Sequence, residues 1–372
     1  MMDHRKQLLL GEPAPWFTQR NTSNPAYAFD TVGGRYIVLC FFASASDSQG
    51  QAALSVTDAH RALFDDERFS FFGVSMDPED ERSGRVRQMI PGVRHFWDFD
   101  GAVGRLYGVL PDGPDVQWAD AHRQWFVLDP SLQVIGRIPF KQDGSDREVL
   151  VRYLRSLPPV SHYGGVEMHA PVLIQPCVFE PALCRRLIDL YLAQGGEISG
   201  FMRDQGGKTV GVHDTVHKSR EDYTIEDETL KKLLQLRLYQ KVVPAILKAY
   251  SFRVTRMERY IVGCYSSDRG GHFRPHRDNT TRGTAHRRFA VSVNLNDDFE
   301  GGELVFPEYG PRRYKLPAGS AVVFSGSLLH MVTPVTRGQR YAYLPFLYDE
   351  AAARVRESNS HHLAEGGGLY RA

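Results

Sequence analysis

Phe273-Arg274-Pro275-His276-Arg277-Asp278-Asn279 is the stretch on which the reading of this chain turns. In an extended segment, residues two apart point the same way. His276 and Asp278 are therefore expected to face one cavity. His330, at what reads as the end of a buried strand, supplies a second imidazole. Two imidazoles and one carboxylate form a facial set of ligands that suits iron(II) and leaves octahedral positions open for other ligands. An isolated His-x-Asp is weak in a chain with 14 histidines. Arg340 strengthens it, because a cation reaching the same cavity from the next strand needs an anionic partner, and its fork matches a carboxylate.

The pattern around this stretch is strand-rich. Phe289, Val291, Val293 and Leu295 alternate with Ala290, Ser292 and Asn294, the period-two signature of a strand. Residues 321–324 read as a buried strand. Upstream, residues 181–193 read as an amphipathic helix. Residues 227–250 read as a longer one that Pro244 kinks or ends. Helices followed by many strands imply an α+β domain around a sandwich or barrel. Before residue 158 the character differs. Apolar runs at residues 36–42, 69–75 and 125–128 read as strands buried on both faces, and residues 147–157 read as a helix, an α/β arrangement. Pro158, Pro159, Gly164, Gly165 and Pro171 punctuate the junction. The expected division is a first domain over residues 1–157, a linker over 158–172, a second domain over 173–350 and a tail over 351–372.

The formal net charge of +1 provides no electrostatic case for nucleic acid or an anionic membrane as partner. The short basic clusters His286-Arg287-Arg288 and Arg312-Arg313 read as solvated faces. Cys40, Cys177, Cys184 and Cys264 form no CxxC pair and no disulfide framework. The leucines at the start (Leu8, Leu9, Leu10) are too few for a signal-peptide core. A soluble, cytoplasmic protein is expected.

Residues 179–348 resemble the prolyl 4-hydroxylase branch of the 2-oxoglutarate/Fe(II)-dependent dioxygenases. The residues that carry this are Cys264-Tyr265, the 273–279 stretch, Gly301-Gly302-Glu303-Leu304, residues 319–324, Leu329-His330, Thr333-Pro334-Val335 and Gly338-Gln339-Arg340-Tyr341-Ala342. The resemblance implies a double-stranded β-helix, or jelly roll, with supporting helices. It implies Fe(2+) on His276, Asp278 and His330, the distal carboxylate of 2-oxoglutarate on Arg340, and Tyr265 lining the co-substrate pocket. Oxygen is the other co-substrate, and ascorbate supports activity in such enzymes. Val293 and Asn294 stand where the family often has a tyrosine. Cys264, Arg256, Arg274 and Arg277 offer themselves as substrate contacts; the plainer reading packs Cys264 in the core and leaves the arginines mostly at the surface, with Arg274 left open.

Residues 9–157 resemble the peroxiredoxin (AhpC/TSA) group of thioredoxin folds, through Gly11-Glu12-Pro13-Ala14-Pro15-Trp16-Phe17, Phe41-Phe42, Gly73-Val74-Ser75-Met76-Asp77, Leu106-Tyr107-Gly108-Val109 and Phe126-Val127-Leu128-Asp129-Pro130. Such enzymes need a thiolate at a helix N-terminus. Here the segment after the strand, Ala43-Ser44-Ala45-Ser46-Asp47-Ser48-Gln49-Gly50, has no cysteine. A non-catalytic binding or structural module is expected. Together these features imply an enzyme that hydroxylates a C–H bond of a protein, a peptide (a prolyl residue included) or a small molecule, releasing succinate and CO2. A homodimer is an arrangement the first fold would support. The rivals are a non-catalytic interaction protein and a redox protein acting through the first domain.

Overall fold

The computed structural model describes residues 8–113 and 116–363. The opening residues 1–7 and the end of the expected tail, 364–372, lie outside this range. Contacts divide the chain into two compact units, Met1–His169 with Pro307–Pro311 and Ala170–Phe306 with Arg312–Ala372. The division falls inside the stretch read as a linker. Among the described residues, no helix is long and apolar enough to cross a membrane.

The first unit is built on a 5-stranded sheet in the order Val93–Trp97, Phe69–Ser75, Tyr36–Ala43, Gln124–Leu128, Val134–Pro139. The first two pairings are parallel and the last two antiparallel. The central strand is apolar throughout because both of its faces are covered. Tyr36, Val38, Cys40 and Phe42 pack with Ala53 and Val56 of the helix Ser48–Ala59 and with Leu150 and Leu154 of the helix Ser145–Ser156. Ile37, Leu39 and Phe41 pack with Phe29, Val103 and Tyr107 on the opposite face. This is the thioredoxin-like α/β fold, with its three inner strands where the apolar runs placed them and the edge strands Val93–Trp97 and Val134–Pro139 added by the structure.

The second unit carries two antiparallel sheets. One is 9-stranded and includes Arg256–Glu258, Phe346–Tyr348, Phe289–Asn294, Gln339–Tyr343, Ile261–Ser266 and Glu221–Thr224 as neighbours in that order. The other is 5-stranded, in the order Lys218–Ser219, His272–His276, His330–Val332, Leu304–Val305, Arg313–Tyr314. This is the double-stranded β-helix with supporting helices. Val262, Cys264, Val291, Val293, Tyr341 and Tyr343 turn one face of the large sheet to the helices Pro181–Gln194 and Glu228–Lys241. The alternate residues Tyr265, Ser292, Asn294 and Arg340 are also buried, so the second face of these strands does not meet solvent.

The helix read over 227–250 breaks where Pro244 was expected to kink or end it: it is two helices, Glu228–Lys241 and Val243–Tyr250, parted at Val242, since the proline ring cannot follow a continuous helical turn. Three other local features depart from expectation. The expected tail contains the helix Glu350–Ser358, N-capped by Asp349. Arg277 is buried and donates to the Ser327 carbonyl at 2.6 Å. His286 and Arg287 are not a solvated face, being 1% and 3% exposed. They surround buried Glu258: Arg287 Nε lies 2.9 Å from Oε1, while His286 Nε2 and Arg356 Nη2, the latter from the last helix, lie 3.0 and 3.3 Å from Oε2. Apolar burial alone would not predict this; a shared carboxylate compensates the charges.

Burial by itself would raise the Glu258 pKa, but Arg287, then His286 and Arg356, more than offset it and hold the carboxyl well below its usual range. A carboxyl depressed in the folded state stabilises fully above the unfolded value of about 4.3 and loses that contribution as pH falls below it. Glu258→Gln is expected to destabilise the second unit by about 3–5 kcal/mol, the cost of leaving buried cations uncompensated. Urea denaturation at neutral pH checks this, and the gap between variant and wild type should shrink in acid.

Candidate metal centre

The small sheet brings the metal-type ligands together. His276 closes the strand His272–His276 and stands opposite His330 in register. His330 opens its strand instead of ending one. A turn marked by Leu328 N to Ser325 O, 3.0 Å, carries the chain from the strand Ala321–Ser325 to His330–Val332. Asp278 lies just past its strand, where its N–H donates to the Gly326 carbonyl at 2.8 Å. Convergence of His276 and Asp278 thus comes from a turn and not from strand alternation.

The ligand atoms of His276, Asp278 and His330 all lie within 4.8 Å of one another. His276 Nε2 is 3.7 Å from Asp278 Oδ1, and His330 Nε2 is 3.4 Å from Oδ2. His276 Nδ1 lies 2.8 Å from the Arg274 carbonyl, and His330 Nδ1 lies 2.9 Å from the Leu328 carbonyl. A carbonyl only accepts, so each Nδ1 carries the hydrogen and each neutral ring presents an Nε2 lone pair toward the carboxylate. Burial, and secondarily His330, push the His276 pKa well down, which favours that neutral form. The His276 ring also stacks on Phe273, centroids 3.4 Å apart. Two neutral imidazoles and a carboxylate, without thiolate, fit iron(II) with room for further ligands.

Across from this cluster, Arg340 is 2% exposed. Its Nη2 donates to Ser292 Oγ at 2.9 Å and to Asn294 Oδ1 at 3.1 Å. Asn294 Nδ2 is tied to the Leu316 carbonyl at 2.8 Å, which aims its oxygen at the arginine. The strand that lacks the expected tyrosine therefore uses Ser292 and Asn294 to orient the guanidinium. Arg340 Nη1 is buried without a hydrogen-bond partner, and burial lowers the pKa of the group. Both findings describe a buried guanidinium whose charge is not met by its hydrogen-bond partners, Ser292 and Asn294. Tyr265 lies directly opposite Arg340 in register and is buried. Metal ligands, Arg340 and Tyr265 line one cavity of about 60 Å³.

Lys218, Arg220 and Asp222 line or border the same space and escaped the sequence reading. Their signal was present: charges at every second residue of an extended stretch share a face. Arg220 makes a bidentate pair with Asp222, both contacts 2.6 Å. Lys218 Nζ donates to Ser199 Oγ and the Gly200 carbonyl, each at 2.6 Å. Burial would raise the Asp222 pKa, yet Arg220 and Lys218 bring it down to about 2. Cys264 packs in the core, and Arg274 is exposed.

In the first unit, Asp47 N-caps the helix Ser48–Ala59 and pairs bidentately with Arg123 at 2.6 and 2.8 Å. A Cβ on Gly50 would lie 1.8 Å from the Ser44 carbonyl oxygen, so a side chain there has no space. Cys40 is fully buried, and burial pushes its thiol pKa well up.

Residues 260–348 match the 2OG-Fe(II) oxygenase superfamily, and residues 10–136 match the AhpC/TSA family. The second unit thus carries a 2OG-Fe(II) oxygenase superfamily domain and the first an AhpC/TSA domain. Over 91 residues the chain is 42% identical to the PKHD-type hydroxylase PiuC of Pseudomonas aeruginosa, a match covering 22% of this chain and 39% of that protein. The chain therefore spans well under half the length of that curated relative. A solved prolyl hydroxylase from Trichoplax adhaerens, in complex with a hypoxia inducible factor oxygen degradation domain peptide fragment, is 18% identical; the match covers 50% of this chain and 86% of that one, with a TM-score of 0.39. Peroxidoxin BcpB from Mycobacterium tuberculosis is 18% identical over 41% of this chain and 99% of its own, with a TM-score of 0.36. Membership of the oxygenase superfamily implies Fe(II), 2-oxoglutarate and O2 as its reagents.

Removing the carboxylate ligand in Asp278→Ala, or both imidazoles in His276→Ala/His330→Ala, is expected to weaken iron(II) binding by more than about tenfold, since even outer-shell losses reach that range. Metal analysis after dialysis checks this; wild-type iron content in the double variant would overturn the assignment. The first unit is expected to show no thiol peroxidase activity. Peroxide consumption with thioredoxin or dithiothreitol should match the uncatalysed rate in wild type and in Cys40→Ser. Turnover that vanishes in Cys40→Ser would mean the buried thiol reaches peroxide after all.

Proposed function

We propose that the chain is a 2-oxoglutarate- and iron(II)-dependent dioxygenase hydroxylating a C–H bond of a protein or peptide, a prolyl residue included, or of a small molecule. The observation that carries this is the joint placement of His276, Asp278 and His330 on one wall of a cavity and the partner-seeking Arg340 on the other. Iron(II) with bound 2-oxoglutarate and oxygen supplies the oxidising chemistry, in which 2-oxoglutarate becomes succinate and CO2 and one oxygen atom enters the substrate C–H bond.

The chain's own residues bind, orient and shield. His276, Asp278 and His330 would hold the metal on one face and leave the opposite side open. Arg340, fixed by Ser292 and Asn294, would hold the distal carboxylate of 2-oxoglutarate, and Tyr265 would line the same pocket. Arg340 and Tyr265 are each 2% exposed, so bulk water is excluded from the anion they receive, which strengthens the pairing. Phe273, stacked on His276, and Phe324, against His330 at 4.6 Å, keep the metal-binding rings from rotating. The PKHD-type hydroxylase likeness supports hydroxylation as the outcome. The cysteines are free thiols, which suits a reducing compartment such as the cytoplasm. The redox alternative is opposed by the lack of a cysteine in residues 43–50 and by the burial of Cys40. The reading is tested by succinate formation from 2-oxoglutarate with iron(II), with and without ascorbate, and by mass gain of one oxygen across candidate prolyl peptides and small molecules. No succinate above the metal-only background would overturn it.

Arg340→Ala is expected to leave iron bound while raising the apparent KM for 2-oxoglutarate, a loss on the order of 2–5 kcal/mol for truncating a buried charge partner. Steady-state titration of 2-oxoglutarate checks it, and an unchanged KM would assign that carboxylate to another residue.

A further inference from the structure

The chain crosses from the small sheet to the large one at Arg220, between the strand Lys218–Ser219 and the strand Glu221–Thr224. Gly263 stands opposite Asp222 in register, and a Cβ there would lie 3.1 Å from both Arg220 Cδ and Asp222 Oδ1. Glycine thus lets the ion pair approach the floor of the pocket two residues from Tyr265. Arg220 is held on several sides, by Asp222 at 2.6 Å twice and by Ser199 Oγ at 3.1 Å. Its remaining terminal nitrogen, Nη1, points at Tyr265 Oη, 3.2 Å away.

Guanidinium only donates, whereas a phenol oxygen accepts and also donates one hydrogen. The Arg220 contact therefore occupies Tyr265 as an acceptor and leaves its hydrogen to be donated elsewhere. Among the described residues that hydrogen meets no acceptor, and at 2% exposure it does not reach bulk water. An unmet buried donor is costly. A second one, Arg340 Nη1, belongs to the residue directly opposite Tyr265. Two unmet donors side by side describe a receptor for one carboxylate.

We propose that Arg220 is a positioning residue for the co-substrate: by donating to Tyr265 Oη it turns the phenol hydrogen into the pocket, where it is donated to a carboxylate of 2-oxoglutarate beside Arg340. This rests on the function proposed above. It extends the pocket to residues 199–222, outside the 260–348 stretch that matches the oxygenase superfamily. Ser199 and Lys218 belong to the same device, because they balance Asp222 and so keep the guanidinium in place.

The test is calorimetric titration of 2-oxoglutarate into the full-length, iron(II)-loaded protein without oxygen, so that binding is read apart from turnover. Arg220→Lys retains a cation for Asp222 but lacks the fork that reaches Tyr265. Both Arg220→Lys and Tyr265→Phe are expected to weaken binding by roughly tenfold or more, as for a hydrogen bond to a charged group. Combining them should cost little beyond either alone, since Arg220 acts through the phenol. Unchanged affinity in Tyr265→Phe overturns the inference, whatever Arg220→Lys does. So does an Arg220→Lys effect of the same size in the Tyr265→Phe background, which would make Arg220 a structural residue only. If wild type itself binds no 2-oxoglutarate, the proposed function fails first; if it binds normally and only the variants behave otherwise, the function stands and this inference alone falls.

Discussion

A guanidinium closed between two sheets sets the terms for the second unit. Arg340 is buried, and its protein partners, Ser292 and Asn294, are neutral. Neutral acceptors orient a cation but do not compensate its charge, and an uncompensated buried charge is among the costliest features a fold can hold. Lys218 and Arg220 add to the same region, while Asp222 and Asp278 are the carboxylates set against them. On the function proposed above, the anion that completes such a pocket is the co-substrate. The strand register that puts Tyr265 beside Arg340, and the Asn294 amide tied back to Leu316, serve that requirement.

The sheet meets this demand through its two-residue period. Along Phe289–Asn294, Phe289, Val291 and Val293 join the core against the helices, while Ala290 and Ser292 line the cavity and Asn294 orients Arg340. A strand with one face in water would show the same alternation of apolar and polar residues, but here the polar face is interior and its members are site residues. The facing small sheet carries His276 and His330 in register, with a turn delivering Asp278. His276 and His330 and the guanidinium of Arg340 therefore come from different sheets and line one cavity.

The first unit keeps a thioredoxin-like architecture, with no cysteine in residues 43–50 and Cys40 buried in its central strand. Its sheet is packed on both faces by apolar side chains that have no part in chemistry. The helix start where a thiolate would gain from the dipole is occupied by Asp47, bound to Arg123 and to the Gly50 N–H. A carboxylate there uses the same local electrostatics for stability.

Much of this was legible in the residues themselves. Apolar runs and their period placed the central strands Tyr36–Ala43, Phe69–Ser75 and Gln124–Leu128 of the first unit and Phe289–Asn294 and Ala321–Ser325 of the second, and the absence of cysteine from residues 43–50 was plain. That His276, Asp278, His330 and Arg340 share one cavity was legible, because the metal and carboxylate binding proposed for them would admit few side-chain types. Other features only the tertiary structure decided. His286 and Arg287 looked like a surface cluster because composition cannot reveal that Glu258, distant in sequence, and Arg356, from a helix in the expected tail, close around them. Arg220 looked like one charge among many, because its meaning depends on Tyr265 lying 3.2 Å away on another strand. Local pattern determines which face of an element is apolar. Which charges end up inside, and against what, depends on pairings between strands far apart in the chain, and that is settled only when the sheets close.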